Sequence, residues 1–120
     1  MKTLGLFSFL FLGQIASAAA ALQCTSVDGK YLVTVAVSER VGQGMVFIDG
    51  QPAQFGDMTC QAEDQAVDCH SNQVADAGYH FIAQYRDESG RAKLSEYWIG
   101  GEKELTTLTC TVYSFQGGDF

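Results

Sequence analysis

A single proline, a single tryptophan and two histidines occur in this chain, and seven lysines and arginines stand against fourteen aspartates and glutamates. Each shortage excludes something. So few basic side chains argue against nucleic acid and anionic membrane surfaces as partners, because both are held through clustered Lys and Arg. Without Lys2, six basic residues face fourteen acidic ones, a net −8 that suits a soluble exported protein. There is no run of roughly 20 apolar residues, so no spanning helix is expected. There is no Pro-rich or Ser-rich linker, no internal repeat and no sustained helical period, which leaves one β-rich domain as the expectation. The lack of an Asn-x-Ser/Thr sequon leans toward a bacterial periplasmic or secreted protein.

Catalytic vocabulary is short as well. With two histidines, no Gly-x-Ser-x-Gly elbow and all four cysteines expected in disulfides, neither a serine nor a cysteine nucleophile is supported. The chain is therefore expected not to be an enzyme and to need no cofactor and no metal. The contrary case is a small secreted hydrolase in which His80 acts as a base with a nearby carboxylate.

What is present begins with the N-terminus. Lys2, an apolar run from Leu4 to Leu12, and Ala16-Ser17-Ala18 form a secretory signal peptide over residues 1–20, with cleavage within 18–21. Residues 21–120 then make a single β domain of about 100 residues, enough for one small core. Cys24, so near the expected cleavage point, raises lipid attachment as an alternative. The bulky Gln23 before it and the odd number of cysteines left behind oppose that.

Along the mature chain apolar residues alternate with period two, broken by Gly and Asp-Gly signals. Strands are expected at 22–27, 30–38, 45–49, 54–61, 79–86, 92–99 and 104–115. Asp28-Gly29 suits a two-residue type I′ turn. Further reversals are expected at Val41-Gly42-Gln43-Gly44, Gly50-Gln51-Pro52, Asp87-Glu88-Ser89-Gly90 and Gly100-Gly101, with at most one helical turn in Ser71–Gly78. With the cysteine segment this makes about eight short antiparallel strands. They must roll into a barrel, or alternatively split into a β-sandwich, to bury one face. Tyr31, Val33, Val35 and Val37 share a face, which is read as the core side. A barrel of this size fills with its own Val, Phe and Leu side chains, against the possibility that it holds a small apolar ligand.

The segment Thr59 to His70 holds two cysteines, several carboxylates and a histidine, so it can be read as a metal site or as a stapled turn. A turn centred between Asp64 and Gln65 sets Cys60 opposite Cys69. Met58, Cys60, Val67 and Cys69 then face the core, while Thr59, Gln61, Asp68 and His70 face water. Two thiols and an imidazole on opposite faces do not converge on one zinc ion, and an oxidising compartment favours the disulfide. Glu63, Asp64 and Asp68 lack the order of a calcium loop. Of the three pairings open to four cysteines, Cys60 with Cys69 leaves Cys24 with Cys110, joining the first strand to the last.

Candidate contact residues are Ser89, Gly90, Arg91, Tyr97 and Trp98. Tyr97 and Trp98 alternate, so one is expected in the core and the other exposed beside Glu96 and Arg86 as a contact hot spot. Thr107, Thr109 and Thr111 form an exposed row that strand propensity explains. The layout of Cys24 before an Asp-Gly hairpin, Ser89-Gly90, Trp98-Ile99-Gly100-Gly101-Glu102 and Cys110 resembles periplasmic inhibitors of C-type lysozyme, small disulfide-closed barrels. Those inhibitors carry a Ser-Gly-Ala-Arg-Tyr loop, whereas here Ser89-Gly90 is followed by Arg91-Ala92-Lys93, with the order altered and no tyrosine. The expectation is an exported binding module that contacts a protein or envelope component through loops at one barrel rim. The resemblance implies the alternative of a lysozyme inhibitor, for which the negative charge would steer encounter with a basic enzyme.

Overall fold

A computed structural model describes residues 20–71 and 77–114. Eight antiparallel strands close into a barrel in chain order: β1 (Ala20–Thr25), β2 (Tyr31–Ser38), β3 (Val41–Ile48), β4 (Gln51–Glu63), β5 (Ala66–Ser71), β6 (Ala77–Arg86), β7 (Ser89–Trp98) and β8 (Gly101–Ser114). Closure removes free sheet edges, which is how a meander with one apolar face buries it. The signal segment lies outside the described residues except for Ala20 and Ala21, which are the first two residues of β1 and pair with Val37 and Ala36. Residues 72–76 of the expected helical turn also lie outside; Ser71 and Ala77 on either side are strand. No helix among the described residues is long and apolar enough to cross a membrane.

The interior is a side-chain core. Leu22, Val33, Val35, Val46, Phe81 and Leu94 are fully buried, so the valine face of β2 does point inward. Both disulfides join directly opposed residues on the core side: Cys60 and Cys69 across β4 and β5, and Cys24 and Cys110 across the β1–β8 seam. No free cysteine remains, which removes both the thiolate zinc site and a lipid on Cys24.

The turns depart from the sequence expectation in a consistent direction. Gly42 and Gly44 lie inside β3, not in a reversal; the turn is Glu39-Arg40, with Glu39 at φ 59°. Gly44 faces inward, and a Cβ there would lie 3.1 Å from Met58 Cε and 3.3 Å from Val35 Cγ2, so its missing side chain makes room for the core. Likewise Gln51 and Pro52 belong to β4, Ser89 and Gly90 to β7, and Gly101 to β8, each one or two residues beyond a two-residue turn. A glycine near a turn signals close approach as readily as reversal. The β1–β2 connection is not type I′. Only Gly29 has positive φ (76°), the Gly29 amide donates to the Ser26 carbonyl at 3.0 Å, and Asp28 accepts from the Ser26 hydroxyl and the Lys30 amide. Those two hydrogen bonds, the Ser26 hydroxyl first, hold the Asp28 carboxyl below its usual range.

Two irregularities shape the barrel. Between Met45 and Phe47 the β3–β4 register slips, and β4 bulges around Phe55 (φ 59°). Ser71 ties this bulge down: its hydroxyl donates to the Phe55 carbonyl at 2.9 Å and accepts from the Tyr79 amide at 2.7 Å. The second slip lies between Leu94 and Ser95 on β7, opposite Leu105 of β8.

β2 is buried on both faces from Val33 to Val37, against simple alternation. Outward-pointing Thr34 lies between the longer Gln23 and Met45, and Ala36 between Ala21 and Gln43. Thr34 Oγ1 is buried without a hydrogen-bond partner. Thr34→Val is therefore expected to raise stability by about 1 kcal/mol, since a buried hydroxyl without a partner forfeits its hydration. A urea midpoint equal to or below wild type would contradict this.

Candidate functional site

Strands β5 and β6 pair so that His70 faces His80 directly, and both project from the outer wall. Asp68, two residues before His70, lies on the same face because side chains alternate. The result is a compact polar cluster. His80 Nε2 is 2.9 Å and His70 Nε2 is 3.2 Å from one and the same oxygen, Asp68 Oδ1. The two imidazoles stack with centroids 4.2 Å apart and planes 12° from parallel, and the Tyr97 ring stands edge-on to His70 at 6.4 Å. On its other side, His80 Nδ1 meets Glu102 Oε2 of β8 at 3.2 Å.

Burial within the cluster is uneven. The His80 side chain is only 17 % exposed, whereas Asp68, His70 and Glu102 are about half exposed. His80 is held between two carboxylates, so it is the most constrained of the four. Chemically, the arrangement can move a proton or hold a cation; Asp68, His70 and His80 each offer a donor atom, and these atoms lie within 4.8 Å of one another. The sequence set Asp68 and His70 together on the outer face and left His80 free to meet a nearby carboxylate. It did not join the two halves, because the β5–β6 register depends on the connection at 72–76, which carries no turn signal.

The five candidate contact residues divide between the two ends of β7. Ser89, Gly90 and Arg91 begin the strand and Tyr97 and Trp98 end it, about 20 to 30 Å apart at about 3.3 Å per residue. Arg86 pairs with Ser89, so it belongs to the first end and cannot sit beside the aromatics. No single rim contact uses all five.

At the first end, Ser89, Gly90 and Arg91 line an open cleft of about 470 Å³ together with Asp64, Gln65 and Tyr85. The rim here is tied down: the carbonyls of Arg40, Gln65 and Glu88 in its three turns accept from the amides of Ala62, Tyr85 and Val112 on the strands beyond. Burial, together with the Asp64 carboxylate, pushes the Tyr85 hydroxyl above its usual pKa, keeping it a neutral donor at the cleft. Gly90 serves packing, because a Cβ there would lie 2.6 Å from the Gln84 carbonyl oxygen and 2.7 Å from Tyr85 Cβ.

At the other end, the expectation of one core aromatic is not met. Tyr97 is half-buried against His70, and Trp98 is 46 % exposed with its indole lying over Gly101. The reason is reach: β1 pairs only with Thr109–Ser114 of β8, so Gly101–Leu108 and the β7 segment opposite run on beyond the end of β1. Ile99, in the turn, is 75 % exposed. Thr107, Thr109 and Thr111 are exposed on the outer face of β8, as expected.

Comparison of the chain with family models, with curated proteins and with solved structures finds no match.

Proposed function

We propose that this protein is an exported, non-enzymatic binding module that engages another protein through the β7–β8 turn. The observation that carries this reading is the pair Trp98 and Ile99, adjacent and exposed where β7 and β8 run past the end of β1, with β6 alongside as far as Ala77. Isolated surface apolar residues are ordinary, but a tryptophan and an isoleucine side by side at a turn form the kind of anchor that fills a partner's pocket. The filled interior supports a role in contact rather than in carrying a ligand. Two disulfides are compatible with export. Because β1 uses Ala20 and Ala21, cleavage after Ala18 would leave the strand whole, and the intact mass of the mature chain would then correspond to a start at residue 19.

The test is capture from envelope extract and culture medium on the immobilised mature, oxidised protein. A protein retained by wild type and lost with Trp98→Ala/Ile99→Ser supports the hairpin contact. Equal retention by the variant sinks the hairpin, and retention of nothing by either sinks the protein-binding reading.

A second reading rests on the opposite rim. Ser89 and Arg91 beside a tied-down cleft, with the resemblance to lysozyme inhibitors, favour inhibition of a C-type lysozyme. On that reading the protein slows lysis by the enzyme, and Ser89→Ala and Arg91→Ala weaken the inhibition at least tenfold. Gly90 is left intact because replacing it would disturb the strand itself.

A further inference from the structure

We infer that Asp68, His70 and His80 form a binding site for one divalent transition-metal ion of the zinc class on the outer wall of the barrel. This site does not depend on either rim contact, although Tyr97 and Glu102 beside it belong to the β7–β8 hairpin.

Asp68 and His70 occupy alternate positions on β5, and His80 is the direct cross-strand partner of His70, so three donors converge from two hydrogen-bonded strands whose spacing is rigid. In a tetrahedral zinc site with bonds of about 2.0–2.1 Å, neighbouring donors stand about 3.3 Å apart. Two edges of this triangle already measure 2.9 Å and 3.2 Å. The third, between the imidazoles, is no longer than 4.8 Å, and would close by a turn of the half-exposed His70 ring out of its stack on His80.

The ring orientation fits as well. His80 Nδ1 lies 3.2 Å from Glu102 Oε2, and in the tautomer that donates there the Nε2 lone pair points toward Asp68 Oδ1, as a metal ligand's would. Both imidazole Nε2 atoms converge on that one oxygen, at 2.9 Å and 3.2 Å, so a single ion between them would be shared by all three side chains.

Imidazoles that ligate metals nearly always donate their other N–H to a carboxylate or carbonyl, which fixes the ring and raises its basicity. Glu102 stands in that position relative to His80, contributed by a strand two places away in the barrel. The donor set of two imidazoles and one carboxylate suits zinc, copper or nickel rather than calcium or magnesium, which prefer all-oxygen sets. With three protein donors on an exposed wall, a fourth position remains for water or for a donor from a bound partner.

The test is titration of the mature, oxidised, chelator-treated protein with zinc chloride by calorimetry, and with cobalt(II) chloride followed by its visible absorption. The expected result is one ion per chain, with intense cobalt bands of a four-coordinate site. His80→Ala and Asp68→Asn should each weaken zinc binding by a hundredfold or more, Glu102→Gln by tenfold or more. Asp64→Asn, in the acidic turn, should leave the affinity unchanged. All four residues are on the outer surface, and an unchanged circular dichroism spectrum separates loss of ligation from loss of fold. Absence of saturable one-to-one binding, or zinc bound as tightly by His80→Ala as by wild type, overturns the site.

Discussion

A Cys24→Ala/Cys110→Ala variant is expected to lose about 4 to 5 kcal/mol of stability, against about 2.7 kcal/mol for Cys60→Ala/Cys69→Ala. The difference arises from chain entropy. The seam bridge spans a sequence separation of 86 and the turn bridge a separation of 9. A longer closed loop removes more freedom from the unfolded chain, so its loss releases more. Position adds to this. Cys24 and Cys110 join the first and last strands, which close the barrel and which no turn connects. Cys60 and Cys69 sit on a hairpin already closed by the Asp64-Gln65 turn. A domain of this size holds roughly 5 to 15 kcal/mol in total, so losing the seam bridge removes much of it and can open the barrel at 37 °C. Urea unfolding of the two double variants decides the matter: equal losses, or a larger loss for the Cys60–Cys69 pair, would refute the seam as the principal staple.

Phe81→Ala is expected to cost about 3 to 5 kcal/mol, the largest effect of any single core truncation here. Phe81 is the largest of the fully buried side chains. It projects inward from β6, paired with Cys69 of β5 and Leu94 of β7, and belongs to the single cluster of buried side chains to which every strand contributes. Removing it leaves a ring-sized void that rigid, hydrogen-bonded strands cannot collapse to fill, and the cavity cost adds to the lost burial. Phe81→Leu retains most of the volume and should cost less than half as much. Comparable losses for the two would mean that the interior relaxes freely and that the barrel is not packed as a single core. Midpoints and slopes of chemical unfolding distinguish these outcomes, since a change in slope reports an altered unfolded or native state rather than lost packing.

Much of the fold was legible because its determinants are local. Period-two alternation marked most of the strands, and parity assigned the Val33, Val35 and Val37 face to the core. The turn centred on Asp64-Gln65 set Cys60 against Cys69, and elimination paired the other two cysteines. The failures are equally specific. Turns assigned to Gly42, Gly44, Gly90 and Gly101 were displaced by one or more residues, because those glycines are spent on close contacts inside strands: Gly42 would meet the Ala36 carbonyl, Gly90 that of Gln84, and Gly101 the indole of Trp98. Alternation likewise implied a core place for Tyr97 or Trp98, but it cannot reveal that a hairpin runs past the end of its neighbour.

From sequence alone came the all-β class, the strand count, the inward face and the pairing of the cysteines, because hydrophobic period and hairpin arithmetic operate over a few residues at a time. The barrel preferred from sequence over a sandwich is the one the structure shows; the tertiary structure alone decided the separation of Ser89 and Arg91 from Trp98, and the union of Asp68, His70, His80 and Glu102. Those depend on inter-strand register and barrel closure, which bring β8 around to β6 across one intervening strand. Register across an unmarked connection is set by the packing of the whole core, and no window of neighbouring residues encodes it.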